Sequence, residues 1–189
     1  EEYFRKDPNP SNSIGQYVRA FLLLNLGRFR EAAALFATAK PTNQNSAAAV
    51  LNNLALCWEH LGDLGRAKEF QLKAQKVGEM NGAAQIQIIS LINLGTFERK
   101  QGNFTEASRL LASAENLVSE FRRQDKSFRP PLISALNLDL AQLQIDFGWY
   151  RKAADNLRAA ARSKAFGLEG GQILINRCNL HLCYGDMDM

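Results

Sequence analysis

The sequence predicts an all-α fold built from repeated helix-turn-helix pairs, and three observations lead to this prediction. The first is a recurring glycine that ends one apolar-periodic segment, with a large apolar residue opening the next segment two positions later; it occurs at Gly27, Gly62, Gly102, Gly148 and Gly185. A glycine just past a helix can take a positive φ and end it, so the recurrence indicates a repeating unit. The other two observations are the small residues around each glycine and the overall composition.

Small residues stand at three fixed distances from these glycines. Seven residues before the glycine the chain has Ala20, Ala55, Gly95, Ala141 and Cys178; five residues after it stand Ala32, Ala67, Ala107 and Ala153; twelve residues after it stand Ala39, Ala74, Ala114 and Ala160. Two helices can approach closely only where small side chains lie at their crossing. The pattern therefore predicts packed antiparallel pairs of consecutive helices.

These residues resemble the tetratricopeptide repeat family, whose pattern combines a small residue, a turn glycine and two alanines at the same spacings. The resemblance runs from about Gln16 to the C-terminus. The family period is about 34 residues, and the units here are longer, similar to those of kinesin light chains and bacterial peptide-responsive regulators. The widest gap, from Gly102 to Gly148, places an insertion at 122–131. The resemblance implies an α-α superhelix, or solenoid.

The apolar stripes and glycine stops predict the elements in order. Residues 1–12, with Asp7-Pro8-Asn9-Pro10, are expected to be extended. The predicted helix pairs are 13–26 with 29–40, 45–61 with 64–80, 83–101 with 104–123, and 131–147 with 150–165, followed by a lone helix near 170–184. One repeat domain, 13–189, would then contain units 13–44, 45–82, 83–130 and 131–168 and a half unit 169–189. We expect the chain to be a fragment of a larger protein.

Composition agrees with an all-helical chain. Of 189 residues, 46% are hydrophobic and only 5 are proline, which suits a continuous helical core. Apolar runs stay well below the roughly 20 residues that cross a bilayer. The cysteines, Cys57, Cys178 and Cys183, lack metal or redox spacing, so we expect buried small residues and a reducing compartment. The predictions are a cytoplasmic location, no membrane partner, no metal and no cofactor.

One register position carries the main functional prediction. Two residues before the small residue, three of the five units have an asparagine, at Asn53, Asn93 and Asn176. An amide both donates and accepts hydrogen bonds, as the backbone of an extended peptide requires. The tetratricopeptide resemblance implies that asparagines here line the concave groove and bind a ligand peptide. The alternative is that these amides pair with groups of neighbouring helices.

Helical spacing adds further residues to the same face. The candidate peptide-binding residues are Asn53, Asn93, Asn176, Leu56, His60, Thr96, Arg99, Lys100, Asp139 and Gln142. The lining is apolar towards the first unit and charged in the middle, where Glu59, Asp139 and Asp146 partly neutralise Arg99 and Lys100. The expected ligand is therefore a peptide or protein segment of mixed polarity, and not an acidic C-terminal tail.

Catalysis is not predicted. His60 and His181 lie in distant units, and no motif places a nucleophile or a carboxylate beside either. Asp139 and Asp146 lie seven positions apart on one helix, about 10 Å, which is too far for an obvious acid/base pair. Neither a phosphate-binding glycine loop nor a metal-ligand cluster is present in the sequence.

The positive charge of the chain does not by itself predict nucleic-acid binding. The net charge is only +4, although the pI is about 9.1. Two basic clusters are expected on the outer surface, where solvated helix faces are the simplest interpretation. A joint basic patch facing an acidic partner is the alternative. The cluster residues are Arg122, Arg123, Lys126, Arg129, Arg151, Lys152, Arg158, Arg162 and Lys164.

Two functional hypotheses follow from the sequence. The first is a protein-binding or peptide-binding scaffold that uses the concave groove, which is the general use of tetratricopeptide arrays. The second is a sensory domain of a larger signalling or transcription protein, in which a ligand or peptide changes the superhelix pitch.

Overall fold

The computed structural model describes residues 13–124 and 130–162, and these residues form eight α-helices without a strand. The helices are α1 Ser13–Asn25, α2 Phe29–Thr38, α3 Gln44–His60, α4 Leu64–Met80, α5 Ala84–Lys100, α6 Phe104–Gln124, α7 Pro130–Asp146 and α8 Tyr150–Arg162. The all-α, helical-repeat prediction is confirmed. The predicted extended segment 1–12 and the lone helix near 170–184 lie outside the described residues.

Four of the predicted glycine stops lie in the described part of the chain, and all four take a positive φ. The values are 75° at Gly27, 82° at Gly62, 80° at Gly102 and 72° at Gly148. The residue after each glycine donates its backbone N–H to a carbonyl five residues back, as from Asp63 to Trp58 at 2.9 Å. These are Schellman turns, which satisfy the last carbonyls of the preceding helix and reverse the chain within a few residues.

Side-chain caps differ from one helix to the next. Asn43 and Ser46 form a reciprocal capping box at the start of α3, with bonds of 2.9 Å and 3.0 Å. At α4 the Asp63 carboxylate accepts the backbone N–H of Arg66 at 3.0 Å. Arg28 precedes α2 without a side-chain cap. The first helix of each pair thus ends in the same way, at a glycine, whereas α2, α3 and α4 begin in different ways.

The described chain divides into two compact units, one ending at Ser90 and the other beginning at Leu91. In the first unit the core joins α1, α2 and α3 around Leu23, Phe36 and Leu54. In the second unit α7 packs on α8 around Leu157 and Leu138.

The alanines predicted at the helix crossings are almost all fully buried. Ala39 is the exception, since it is only half-buried beside the core of the first unit. No solvent reaches Ala20, Ala32, Ala55, Ala67, Ala74, Ala107, Ala114, Ala141, Ala153 or Ala160. Because a larger side chain at any of these places would separate the two axes, the alanines set the spacing of the pairs.

Polar residues replace large apolar residues at one position of the repeat. Leu23 is buried there in the first pair, whereas the third and fourth pairs have Glu98 and Gln144. Glu98 is 3% exposed, and its carboxylate accepts a hydrogen bond from the Asn103 amide at 2.8 Å. Gln144 accepts one from the Asn156 amide at 2.9 Å. Hydrogen bonds within each pair therefore compensate for the missing apolar packing.

Cys57 is buried in the core of the first unit, as the sequence predicts. Burial raises the pKa of its thiol to about 11, because the charged thiolate would lose its hydration. The other two cysteines lie outside the described residues. None of the described helices combines the length and the apolar character needed to cross a membrane. The cytoplasmic location stays a prediction.

Candidate functional site

In the first unit, Asn53 links two helices. It is 8% exposed, and its side-chain amide donates a hydrogen bond to the Tyr17 hydroxyl on α1 at 3.0 Å. This contact is the interhelical pairing that the sequence left as the alternative role for the asparagines. Leu56 lies one turn further along α3 and is half-buried.

His60 lies at the last position of α3, where it contacts the start of α2. Its imidazole stacks on the ring of Phe29, with 4.3 Å between ring centres and 5° between planes. His60 is exposed and Phe29 is half-buried. The stack ties the end of one helix pair to the turn of the preceding pair, so the imidazole already has a structural contact.

In the second unit, α5 and α7 exchange polar contacts through residues that the sequence assigned to the groove. The Thr96 hydroxyl donates to Oδ1 of Asp139 at 2.7 Å. Three residues further along α5, the Arg99 guanidinium pairs with Oδ2 of Asp146 at 2.9 Å. Asn93, one turn before Thr96, is half-buried. Two residues of α5 thus contact two residues of α7, which belongs to the next helix pair.

The Arg99–Asp146 ion pair is only partly accessible to water. The Arg99 side chain is 17% exposed and that of Asp146 is 24% exposed. Nε of Arg99 is buried and finds no hydrogen-bond partner among the described residues. Gln142, one turn before Asp146, places its amide nitrogen 3.4 Å from Oδ1 of that carboxylate. A buried donor without a partner costs free energy.

We call Thr96, Arg99, Asp139, Gln142 and Asp146 the α5–α7 strip. It offers carboxylate and amide oxygens as acceptors, and guanidinium and amide groups as donors. Lys100, exposed on α5, follows Arg99 in the chain. Asn176, the third predicted asparagine, lies outside the described residues. No group of three His, Cys, Asp or Glu side chains in the described ranges could hold a metal ion.

A depression of about 300 Å³ beside Tyr17 was not predicted. Its walls come mainly from the α2–α3 loop and the start of α3, and they include Ala39, Pro41 and Val50. The sequence did not predict it, because the repeat pattern assigns positions on the helices and gives no information on the loops between them.

The basic residues of α8 lie on its outer face, as expected for a solvated helix. Arg151, Lys152, Arg158 and Arg162 are exposed, and Arg158 pairs with Asp155 at 2.7 Å. At the end of α6, Arg122 and Arg123 are also exposed. The remaining predicted members, Lys126, Arg129 and Lys164, lie outside the described residues.

Comparison with known proteins agrees with the repeat register. Residues 88–114 match the family model described as tetratricopeptide repeat. This segment of the chain is similar to one tetratricopeptide repeat. The matched segment spans the α5–α6 turn at Gly102 and includes three of the predicted small residues, Gly95, Ala107 and Ala114. Tetratricopeptide repeats in general serve protein interaction.

The fold is also similar to that of a solved helical-repeat protein. The crystal structure of BtubC (BKLC) from P. vanneervenii, a kinesin-light-chain-like protein, matches with a TM-score of 0.68 and 19% sequence identity. The match covers 91% of this chain and 72% of that one. At this identity the likeness concerns the fold alone. No curated protein matches this chain in sequence.

Proposed function

We propose that this tetratricopeptide protein is a binding module. It binds a peptide or protein segment on the face formed by the first helix of each helix pair. The observation that carries the proposal is the α5–α7 strip, in which Thr96 contacts Asp139 and Arg99 contacts Asp146 across two helices. The proposed ligand has mixed polarity, because the strip offers both carboxylates and a guanidinium. The proposed role is non-catalytic.

The contacts of the strip suit a ligand that exchanges hydrogen bonds. Asp146 holds Arg99 through a single nitrogen at 2.9 Å, and the Gln142 amide lies at a long 3.4 Å from the same carboxylate. A backbone carbonyl or acidic side chain of the ligand would add an acceptor for Arg99, and a backbone N–H would add a donor for Gln142. Such an exchange replaces one hydrogen bond of the strip by another.

Selection of peptides followed by site-specific crosslinking tests this proposal. Peptides would first be selected from a displayed random library against the intact chain. A benzoylphenylalanine at Gln142 reports contact with the strip, and the same group at Ala112, exposed on α6, is the matched control. We expect the selected peptides to crosslink at Gln142 and not at Ala112. Crosslinking at Ala112 alone would mean that the peptide binds the face formed by the second helix of each pair, which would contradict the proposal.

Two charge-neutralising variants then separate the strip from general electrostatics. Asp139→Asn removes a charge from the strip, and Asp155→Asn removes one from the outer face of α8, where it is exposed. We expect Asp139→Asn to weaken the selected peptide by about tenfold, whereas Asp155→Asn leaves affinity within about twofold. Equal effects of the two variants would mean that only net charge matters.

A further inference from the structure

Three aromatic side chains meet at the turns of the second unit, and none of them belongs to the α5–α7 strip. Phe147 and Trp149 flank Gly148 and stack with 4.8 Å between ring centres, and Phe104 lies 5.6 Å from Phe147. Trp149 is 51% exposed and Phe147 is 38% exposed. We call Phe104, Phe147 and Trp149 the aromatic turn cluster. A clustered exposed apolar surface marks interaction sites more often than scattered single residues do.

Trp149 occupies a position that is polar in the turns within the other three described helix pairs. The residue after the turn glycine is Arg28, Asp63 and Asn103 in the first three pairs. Asp63 uses this place to cap its helix by accepting the N–H of Arg66. An indole N–H is only a donor, so Trp149 cannot accept this bond. A good cap is worth about 1 kcal/mol, and the half-exposed tryptophan stands where such a cap would be.

Cations border the same surface. Nζ of Lys152 lies 4.8 Å from the Trp149 ring centre, and both Lys152 and Arg151 are exposed. The nearby acids already have partners, since Asp155 pairs with Arg158 and Asp146 with Arg99. An open depression of about 320 Å³ lies beside the cluster, lined by Gly148, Trp149, Tyr150, Arg151 and Lys152. This volume falls at the lower end of ligand pockets, which span about 300–1,000 Å³.

We propose that the aromatic turn cluster binds an acidic segment of another protein that carries an aliphatic anchor side chain. The anchor packs in the depression against Trp149, and the acidic flanks pair with Arg151 and Lys152. The charge complementarity selects this partner, because Arg151 and Lys152 border the apolar centre and neither has an ion pair with an acid among the described residues. The site shares no residue with the α5–α7 strip and is independent of the proposed function.

Two other occupants fit less well. A nucleic-acid base needs an open ring face, and the Trp149 ring is already contacted by Phe147 and Lys152. A second copy of this chain would pair the patch with itself and bring the same cations together. The experiments below include a result that would indicate each of these two occupants.

Tryptophan indole signals locate binding directly, because the chain has two tryptophans, Trp58 and Trp149. The probe is a short fluorescein-labelled peptide in which Glu and Asp flank a central Leu pair. With the intact chain labelled with ¹⁵N-tryptophan, we expect a saturable shift of the Trp149 indole signal and none of the Trp58 signal. Trp149→Phe assigns the two signals. A peptide with Ser in place of Leu should give no saturable shift.

Affinity measured by fluorescence anisotropy completes the test. Reversing two exposed charges, Arg151→Glu with Lys152→Glu, should weaken the peptide by roughly tenfold or more. Trp149→Asp, which restores the polar residue of the Gly62 turn, should abolish binding while the helical circular dichroism is retained. The proposal is overturned if neither variant weakens the peptide, if single-stranded oligothymidylate binds as tightly, or if the intact chain forms a dimer that charge reversal at these residues dissociates.

Discussion

The missing side chain at Gly95 lets α5 lie against α6. A Cβ built there would stand 2.9 Å from Cγ and 3.0 Å from Cδ2 of Leu111, which is itself fully buried. Alanine improves helix propensity by about 1 kcal/mol, but overpacking a core costs about 1–3 kcal/mol. We expect Gly95→Ala to lower the free energy of unfolding, seen as a lower urea midpoint with an unchanged slope.

Gly65 on α4 is the matched control for this prediction. A Cβ there would meet only Oδ1 of Asp63, at an ordinary 3.6 Å. Gly65→Ala should therefore leave the urea midpoint unchanged or raise it. If both variants behaved alike, close approach at Gly95 would not be the reason for its glycine.

Cys57 provides a pH-dependent signal at the residue scale. Its thiol pKa is raised by burial from 9.0 to about 11, so the folded state keeps a proton that the unfolded state loses first. This stabilisation is complete below pH 9 and is lost as the pH rises towards 11. We expect Cys57→Ala to be less stable at pH 7 but to show a shallower loss of stability above pH 9 than the parent chain.

The same burial predicts slow chemical modification. In a chain with Cys178→Ser and Cys183→Ser, Cys57 is the remaining thiol. A disulfide reagent at pH 8 should react with it at a rate set by opening of the first unit, and quickly in urea. Rapid reaction without denaturant would contradict the buried position.

At the scale of elements, the hydrogen bond from Asn53 to Tyr17 joins α3 to α1. Tyr17→Phe removes the acceptor and leaves a largely buried amide without this partner, which costs about 1 kcal/mol or more. In a double-mutant cycle with Asn53→Ala, we expect the two losses to be less than additive, measured by urea unfolding. Strictly additive losses would mean that the two side chains stabilise the chain separately.

The Arg99–Asp146 pair is the corresponding tie between α5 and α7. Since both side chains are partly screened from water, we expect a coupling of about 1 kcal/mol in a double-mutant cycle with Arg99→Ala and Asp146→Ala. The coupling should shrink in high salt, because an ion pair this accessible is still screened. A coupling indistinguishable from zero would leave the strip as a ligand surface without a structural role.

Helix positions could be predicted closely from the sequence because the glycine stops and crossing alanines act locally. The prediction of 64–80 for α4 coincides with the observed Leu64–Met80. Partners across helices could not be predicted in the same way. The Tyr17 contact of Asn53 depends on how far α1 lies from α3, which a repeat register does not give. The sequence does show Trp149 as an aromatic residue at a place that is polar in the turns of the other three described pairs.

At the scale of the whole molecule, the closely packed helix pairs in the described ranges are neighbours or near neighbours in the chain, such as α1 with α2 and α7 with α8. In repeat proteins such contacts make stability largely a sum of local terms. We expect Gly95→Ala to increase hydrogen exchange in α5 and α6 while exchange in α1 and α2 stays unchanged, measured by mass spectrometry. A uniform increase would indicate a single cooperative unit.

The Schellman turns have a consequence for how such a chain can diverge. Each is closed by main-chain atoms, so the side chain at the accepting residue is not needed for the turn. In the four turns at Gly27, Gly62, Gly102 and Gly148 it is leucine, tryptophan, glutamate and glutamine, at Leu23, Trp58, Glu98 and Gln144. Such a turn requires only main-chain hydrogen bonds and one glycine. The other residues of each repeat can therefore change during evolution while the chain still reverses direction at the same place.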